Sequence, residues 1–326
     1  MKIERAFVTG AGGFIGSRLV RHLLEQGIEV TAFVRYNSRG DIGLLRYLPN
    51  GLSDGLRIEY GDLRDVTGLK KAMRGCDVVY HLGAVISVPY SYHHPREVVE
   101  VNVMGTLSVL ENALEFGVRR FVQVSSSEVY GSAQYTPMDE RHPRHAQSPY
   151  AASKTGADEL ARSFHRTYGL PVTIIRPFNT FGPGQSRRAV IPHIIVSALK
   201  TGMVRLGNIW TVRDFTYVDD TVRGIFLAGN VSEAIGMEMN LGTGEGHSIE
   251  ETARTIFELM GIEPRIIVDE ERVRPKDSEV RALISDNSLA RKILEWQPEH
   301  SFREGLAATI DWIKSHLELY EPPEVL

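Results

Sequence analysis

The chain has 326 residues, 42% of them hydrophobic, which suits one large or two modest domains with a real core and argues against disorder. Its 37 Lys and Arg against 41 Asp and Glu give a net charge of −4 with no basic cluster, so a nucleic-acid partner is not expected. A lone Cys76 offers no internal disulfide or thiolate zinc site, and no apolar run reaches bilayer length, so the expected setting is cytoplasmic, without membrane attachment.

The first predicted strand, Ile3–Val8, runs into Thr9-Gly10-Ala11-Gly12-Gly13-Phe14-Ile15-Gly16 and then a helix over Gly13–Gln26. Glycines 10, 13 and 16 recur at every third position, so the chain can turn tightly, present amides to a pyrophosphate and pack the helix close to the sheet. The simplest dinucleotide fingerprint is spaced differently. Here the position after a strand and before a helix carries the assignment, with Gly10, Gly13, Phe14, Ile15 and Gly16 as cofactor-binding residues.

The second predicted strand, Glu29–Val34, ends at Arg35-Tyr36-Asn37-Ser38-Arg39, where an NAD site usually places a carboxylate for the ribose hydroxyls. Arg35, helped by Asn37 and Ser38, can instead pair with a 2′-phosphate, so NADP is favoured over NAD. The third strand, Leu56–Tyr60, leads to Asp62 and Leu63, placed to reach the adenine. A helix is predicted over Val66–Met73, a strand over Asp77–Leu82 and a single long helix over Pro95–Phe116. His93, His94, His142 and His145 fall in polar loops without a matched carboxylate or helical metal spacing; they are expected to be solvated, and no metal site is expected.

A strand over Arg120–Ser125 precedes Ser126-Ser127-Glu128, and Ser148-Pro149 starts a helix over Pro149–Tyr168. Tyr150 and Lys154 project from one face of that helix. A phenol is too weak an acid to serve as a base at neutral pH, and a neighbouring ammonium is expected to lower its pKa. A strand over Val172–Arg176 closes the alternation. Beyond Pro177 the pattern loosens; Tyr217–Gly229 reads as a strand end entering a helix, and Ser248/Glu251 and Ser301/Glu304 are capping-box candidates. The expected fold class is α/β, a Rossmann doubly wound parallel sheet with a smaller C-terminal substrate lobe. Its dinucleotide-binding part would comprise residues 1–178 with about 214–243, and the second lobe about 179–213 and 244–326.

The Gly10/Gly13/Gly16 loop, Asp62, Ser126 and Tyr150/Lys154 resemble, in order and over nearly the whole chain, the extended short-chain dehydrogenase/reductases. The resemblance implies a nucleotide-sugar substrate, a tightly bound and recycled nicotinamide cofactor, and a homodimer. It adds Leu82 and Ala84, at the end of the fourth strand, to the cofactor contacts. Ser126-Ser127-Glu128 is similar to the Thr-Asp-Glu or Thr-Ser-Glu of the 4,6-dehydratases, whereas epimerases usually carry a small or apolar residue in place of Glu128.

The implied reaction is C4 oxidation assisted by Tyr150, Lys154 and Ser126, removal of the C5 proton by Glu128 with loss of water from C6, and hydride return to C6. Ser127 stands where the dTDP-glucose enzymes have an acidic Asp, a departure shared with the GDP-mannose 4,6-dehydratases. For the substrate, the resemblance implies Ser87, Tyr92, Asn179, Arg213 and Arg274, and Arg188 is a further candidate for the diphosphate by its charge alone. Pro89–Tyr92, Ser127–Tyr135 and Ala189–Pro192 are most similar to the UDP-N-acetylglucosamine 4,6-dehydratases of legionaminic-acid-type pathways. A UDP- or GDP-linked hexose is therefore expected. UDP-glucuronate decarboxylase, 4-epimerase and a non-enzymatic NADP sensor are the competing readings.

Overall fold

In the computed structural model, which describes residues 3–269 and 279–321, the β-branched runs form strands and the segments of helical period cover them. The chain runs β1 (Arg5–Thr9), α1 (Phe14–Glu25), β2 (Glu29–Arg35), β3 (Leu56–Gly61), α2 (Val66–Met73), β4 (Val78–His81), α3 (Val88–His93), α4 (Pro95–Val99), α5 (Gly105–Glu115), β5 (Arg120–Val124), α6 (Pro149–Tyr168) and β6 (Val172–Pro177). It continues with β7 (Asn179–Phe181), α7 (Val190–Thr201), β8 (Val204–Leu206), β9 (Val212–Arg213), β10 (Phe215–Tyr217), α8 (Val218–Asn230), β11 (Glu238–Leu241), β12 (His247–Ser248), α9 (Ile249–Met260), β13 (Ile266–Val268), β14 (Ala282–Leu283), α10 (Ser288–Leu294) and α11 (Phe302–Ser315).

The main sheet has seven parallel strands in the order β11-β6-β5-β4-β1-β2-β3. Every residue of β4 and β6 is buried, as helices on both faces require of a parallel sheet. The strand order reverses between β1 and β4, so the loops leaving their C-terminal ends diverge and open a crevice. This is the doubly wound Rossmann arrangement with a smaller C-terminal region.

The later strands form three small sheets: β7 with β10, β9 between β12 and β14, and β8 with β13. Both capping boxes are present, starting α9 and α11. Trp296, fully buried, donates from Nε1 to the Asp220 carbonyl at 2.9 Å and so ties the segment after α10 to α8.

The structure departs from the sequence reading in some of its elements. The helix expected over Pro95–Phe116 is interrupted by a wider π turn at Glu100–Met104, and Asn102 within it bonds the Val85 backbone in the loop after β4. Strand β11, unread in the sequence, extends the main sheet beside β6. The β7/β10 ladder pairs Phe215–Tyr217 with Asn179–Phe181, so a division drawn between 213 and 214 cuts across a hydrogen-bonded strand pair. We retain that division as a proposal.

Candidate functional site

The crevice between β1 and β4 is lined by the glycine loop. Gly10 takes φ +69°, and a Cβ on Gly16 would lie 2.1 Å from the Gly10 carbonyl oxygen, so the start of α1 approaches the loop as only glycine allows. Gly13 caps α1 without any side-chain hydrogen bond, which leaves the first-turn amides, with Phe14 and Ile15 among them, facing an anion site at a helix N-terminus. On the β4 side, Leu82 and Ala84 flank Gly83, whose amide donates to Thr9 Oγ1 at 3.0 Å. The Leu63 side chain packs against Gly83 and Gly105. This cradle fits the diphosphate of a dinucleotide.

At the adenosine end, Arg35 is exposed, with Nη2 3.9 Å from Glu97 Oε1. Asn37 is committed to its own loop: Oδ1 accepts from the amides of Arg39 and Asp41, and Nδ2 donates to the carbonyls of Arg35 and Asp41. Ser38 is exposed nearby. Asp62 holds Arg64 in two side-chain hydrogen bonds of 2.8 and 2.7 Å, and these pull its carboxyl down to about 2.

Behind the crevice, His81 is fully enclosed. Thr106 Oγ1 spends its proton on the Asn102 carbonyl and therefore accepts from His81 Nε2 at 3.0 Å, while Thr9 Oγ1 donates to Nδ1 at 2.7 Å. Both ring nitrogens are satisfied by the neutral form, and burial, with the Lys154 charge adding to it, lowers the imidazole to about 3 from 6.5. The unfolded chain takes up this proton below pH 6.5 and the folded chain does not, so folding stability falls as pH drops. The expected contribution is about 1.4 kcal/mol per pH unit between the two values. Urea unfolding at a series of pH values should show that slope, and His81→Asn should remove it; an equal slope in the variant would contradict the assignment.

The proton-transfer candidates meet at the ends of β5 and α6. Ser148 caps α6, accepting from the Ala151 amide at 3.1 Å, and the helix carries Tyr150 and Lys154 inward, both buried. Lys154 Nζ donates to the Val124 carbonyl at 2.7 Å. Burial lowers this amine to about 8, against the opposing pull of Asp158. Burial also pushes the Tyr150 phenol up to about 12; the Ser126 hydrogen bond opposes that rise and the Glu128 and Asp158 charges add to it. The sequence expectation that Lys154 lowers the phenol is thus not met in the chain alone: enclosure of the ring raises it, and the ammonium is engaged by a backbone carbonyl.

Ser126 begins a short 3-10 turn over Ser127–Tyr130, its Oγ accepting from the Glu128 amide at 3.2 Å. The turn sends Ser127 into the interior and Glu128 onto the wall of a cavity of about 430 Å³. Asn179, Arg188 and Arg213 line the same cavity. Arg213 donates to the Val212 carbonyl at 2.9 Å and lies 3.7 Å from Glu279. Ser87 caps α3, accepting from the Tyr90 amide, and Tyr92 sits on that helix; neither lines the cavity. Arg274 lies outside the described residues.

Several lining residues carried no sequence signal, among them Thr180, Gln185, His193, Arg205 and Asn208. Asn179 Oδ1 and Gln185 Oε1 are buried without a hydrogen-bond partner among the described residues. Buried acceptors left open in this way suit a ligand that brings hydroxyl or amide donors. Asn102 was also unread: it accepts from the Val85 amide at 2.7 Å and donates to Ser153 Oγ at 2.9 Å, fastening the loop after β4 to α6.

Among the histidines, His142 is not solvated as its polar neighbours suggest. It is 2% exposed, accepts from the Gln134 amide and donates to the Pro143 carbonyl, and its ring packs against Tyr130. The described residues contain no group of three or more His, Cys, Asp or Glu arranged for a metal, and no helix long and apolar enough to cross a membrane.

A Rossmann crevice, a buried Tyr–Lys pair and a cavity with a carboxylate on its wall coincide with a match of residues 7–309 to the GDP-mannose 4,6 dehydratase family. The chain belongs to the extended short-chain dehydrogenase/reductases that act on nucleotide sugars. The dTDP-glucose 4,6-dehydratase of Streptomyces griseus is 35% identical over 323 residues, 97% of this chain and 95% of that protein. The dTDP-glucose 4,6-dehydratase of Streptomyces venezuelae, solved with NAD bound, superposes with a TM-score of 0.88 at 33% identity, covering 98% of this chain and 99% of that one. The UDP-glucose 4-epimerase of Thermotoga maritima, solved with UDP-glucose, superposes at 0.86 with 29% identity, covering 96% and 99%. This family member is thus an enzyme whose relatives divide between dehydratases and epimerases.

Proposed function

We propose that the chain is a nucleotide-sugar 4,6-dehydratase. The observation that carries this reading is the turn Ser126–Glu128, which joins the serine bonded to Tyr150 to a carboxylate on the wall of the cavity that Asn179, Arg188 and Arg213 line. Simple epimerisation at C4 needs the phenol and the serine but has no use for Glu128.

In this reading the crevice holds a nicotinamide dinucleotide, whose chemistry is to accept hydrogen from C4 of the sugar and return it at C6. Tyr150, ionised once cofactor and sugar are in place, takes the proton of the 4-hydroxyl and passes it on to solvent, with Ser126 holding the oxygen and Lys154 supplying positive charge. The resulting 4-ketone acidifies C5. Glu128 removes the C5 proton, and the C5–C6 double bond forms as the C6–O bond breaks. Ser127 faces the interior, so the proton that converts the leaving hydroxyl into water comes from Glu128, which has just gained one. C5 is then reprotonated from solvent by way of the same carboxylate as C6 receives hydrogen.

The substrate we propose is a UDP- or GDP-linked hexose such as UDP-N-acetylglucosamine. Asn179, Arg188 and Arg213 would meet its diphosphate and sugar, with Ser87 and Tyr92 nearer the crevice and Arg274 as a further phosphate contact. For the cofactor we propose NADP, because β2 ends in an exposed guanidinium and the nearby carboxylates of Asp41 and Asp62 are engaged by arginines. The NAD in the S. venezuelae relative makes NAD the alternative.

Incubation with a panel of UDP-, GDP- and dTDP-sugars, in the presence of either cofactor, should yield a product lighter by one water. Loss of carbon dioxide would indicate a decarboxylase, and a new sugar of unchanged mass an epimerase; either would overturn the proposal. Tighter binding of NAD than NADP would remove the role given to Arg35.

A further inference from the structure

Beneath the Tyr150–Lys154 pair lies a charged cluster that the reaction as written does not use. Asp158 stands one turn beyond Lys154 on the buried face of α6, and neither it nor Arg176 of β6 exposes any side-chain surface. Asp158 Oδ2 accepts from Ser125 Oγ at 2.7 Å and from Arg176 Nη2 at 3.2 Å, whereas Oδ1 has no hydrogen-bond partner among the described residues. Arg176 also reaches Glu238 of β11 and donates to Tyr130 Oη at 3.1 Å. Glu238 in turn is held by Arg162.

Buried ion clusters are poor sources of stability, since desolvation offsets most of the attraction. This one occupies the place where charge matters to the chemistry. Lys154 is enclosed, and an enclosed ammonium tends to lose its proton. Asp158, one turn on along its own helix, the neutral His81 on β4 and the Val124 carbonyl of β5 act on it directly, while Ser125 at the end of β5, Arg176 on β6 and Glu238 on β11 act on Asp158 in turn. The anion acting on it is Asp158; burial raises the Asp158 carboxyl above its ordinary value, and Arg176, Lys154 and the Ser125 hydrogen bond pull it back toward the charged form.

We propose that Asp158 is a positioning residue for proton transfer: its carboxylate, fixed by Ser125 and Arg176, keeps Lys154 protonated at neutral pH and so keeps positive charge beside the Tyr150 phenol. The same contacts join α6 to the β5 end that presents Ser126, so one carboxylate ties the helix carrying the pair to the strand end carrying the serine. The inference rests on reading Tyr150 and Lys154 as the proton-transfer pair.

The test needs no substrate. In protein carrying lysine labelled with carbon-13 at the ε position, the Lys154 resonance, assigned by its absence from Lys154→Arg, is followed against pH. Asp158→Asn should move its midpoint down by about one unit or more, as loss of an adjacent opposite charge does. Ser125→Ala, a milder change that loosens Asp158 without removing it, should move it the same way by less. Where turnover is measurable, the alkaline limb of the rate profile should shift with the resonance. An unchanged midpoint in Asp158→Asn, or in Ser125→Ala if the first variant does not fold, would overturn the proposal. Failure of every sugar to lose water would sink the dehydratase reading and leave this titration standing.

Discussion

Glu128→Gln should fold as the parent does, bind the same cofactor and substrate, and lose water elimination by ~10²–10⁴-fold, the range expected when a general base is removed. The amide keeps the shape of the carboxylate on the cavity wall and cannot accept the C5 proton. Oxidation at C4 depends on Tyr150, Lys154 and Ser126, all left intact, so the first half of the reaction should persist, and the absorbance of reduced nicotinamide should build up after substrate is added. Rapid mixing followed by mass analysis of the sugar separates the two halves. A variant that still releases water at the parental rate would remove Glu128 from the chemistry.

Tyr150→Phe should be as damaging at the earlier step. The ring is enclosed and phenylalanine fills the same space, so the fold should survive with a cost of about 1 kcal/mol for the lost hydrogen bond with Ser126. What disappears is the group that takes the 4-hydroxyl proton, and kcat should fall by ~10²–10⁴-fold while KM moves little, the pattern of an interaction made only in the transition state. No reduced nicotinamide should build up, which distinguishes this variant from Glu128→Gln. A fall in kcat matched by an equal loss of substrate affinity would mean that the phenol binds the sugar without serving as its base.

Periodicity revealed the strands and helices of the first half because a parallel sheet covered on both faces writes itself as short β-branched runs separated by helical stripes. The glycine loop and the Tyr150/Lys154 spacing were legible for a similar reason: each depends on local geometry. What escaped depends on contacts between distant segments. Strand β11 is four residues long and follows a helix in a region without regular alternation, so nothing local marks it as the seventh strand.

Asp158 and Arg176 read as ordinary charges on a helix and a strand; only the fold shows them facing each other in the interior. The one available signal was that Arg176 ends a β-branched run, Val172-Thr173-Ile174-Ile175, that reads as a strand of the covered sheet. His142 was misread because its sequence neighbours are polar, while its ring turns back onto Tyr130. The raised phenol of Tyr150 was misread because spacing shows which charge is near and not how much water has been removed.

The central claim is that a carboxylate of this chain removes the proton at C5 of a 4-keto sugar. Turnover in deuterium oxide, with the product analysed by mass and proton NMR, tests it directly. The account predicts one solvent-derived deuterium at C5 of a sugar that has lost water, and loss of that label together with the product in Glu128→Gln. A turned-over sugar that keeps its original hydrogen at C5 would contradict it.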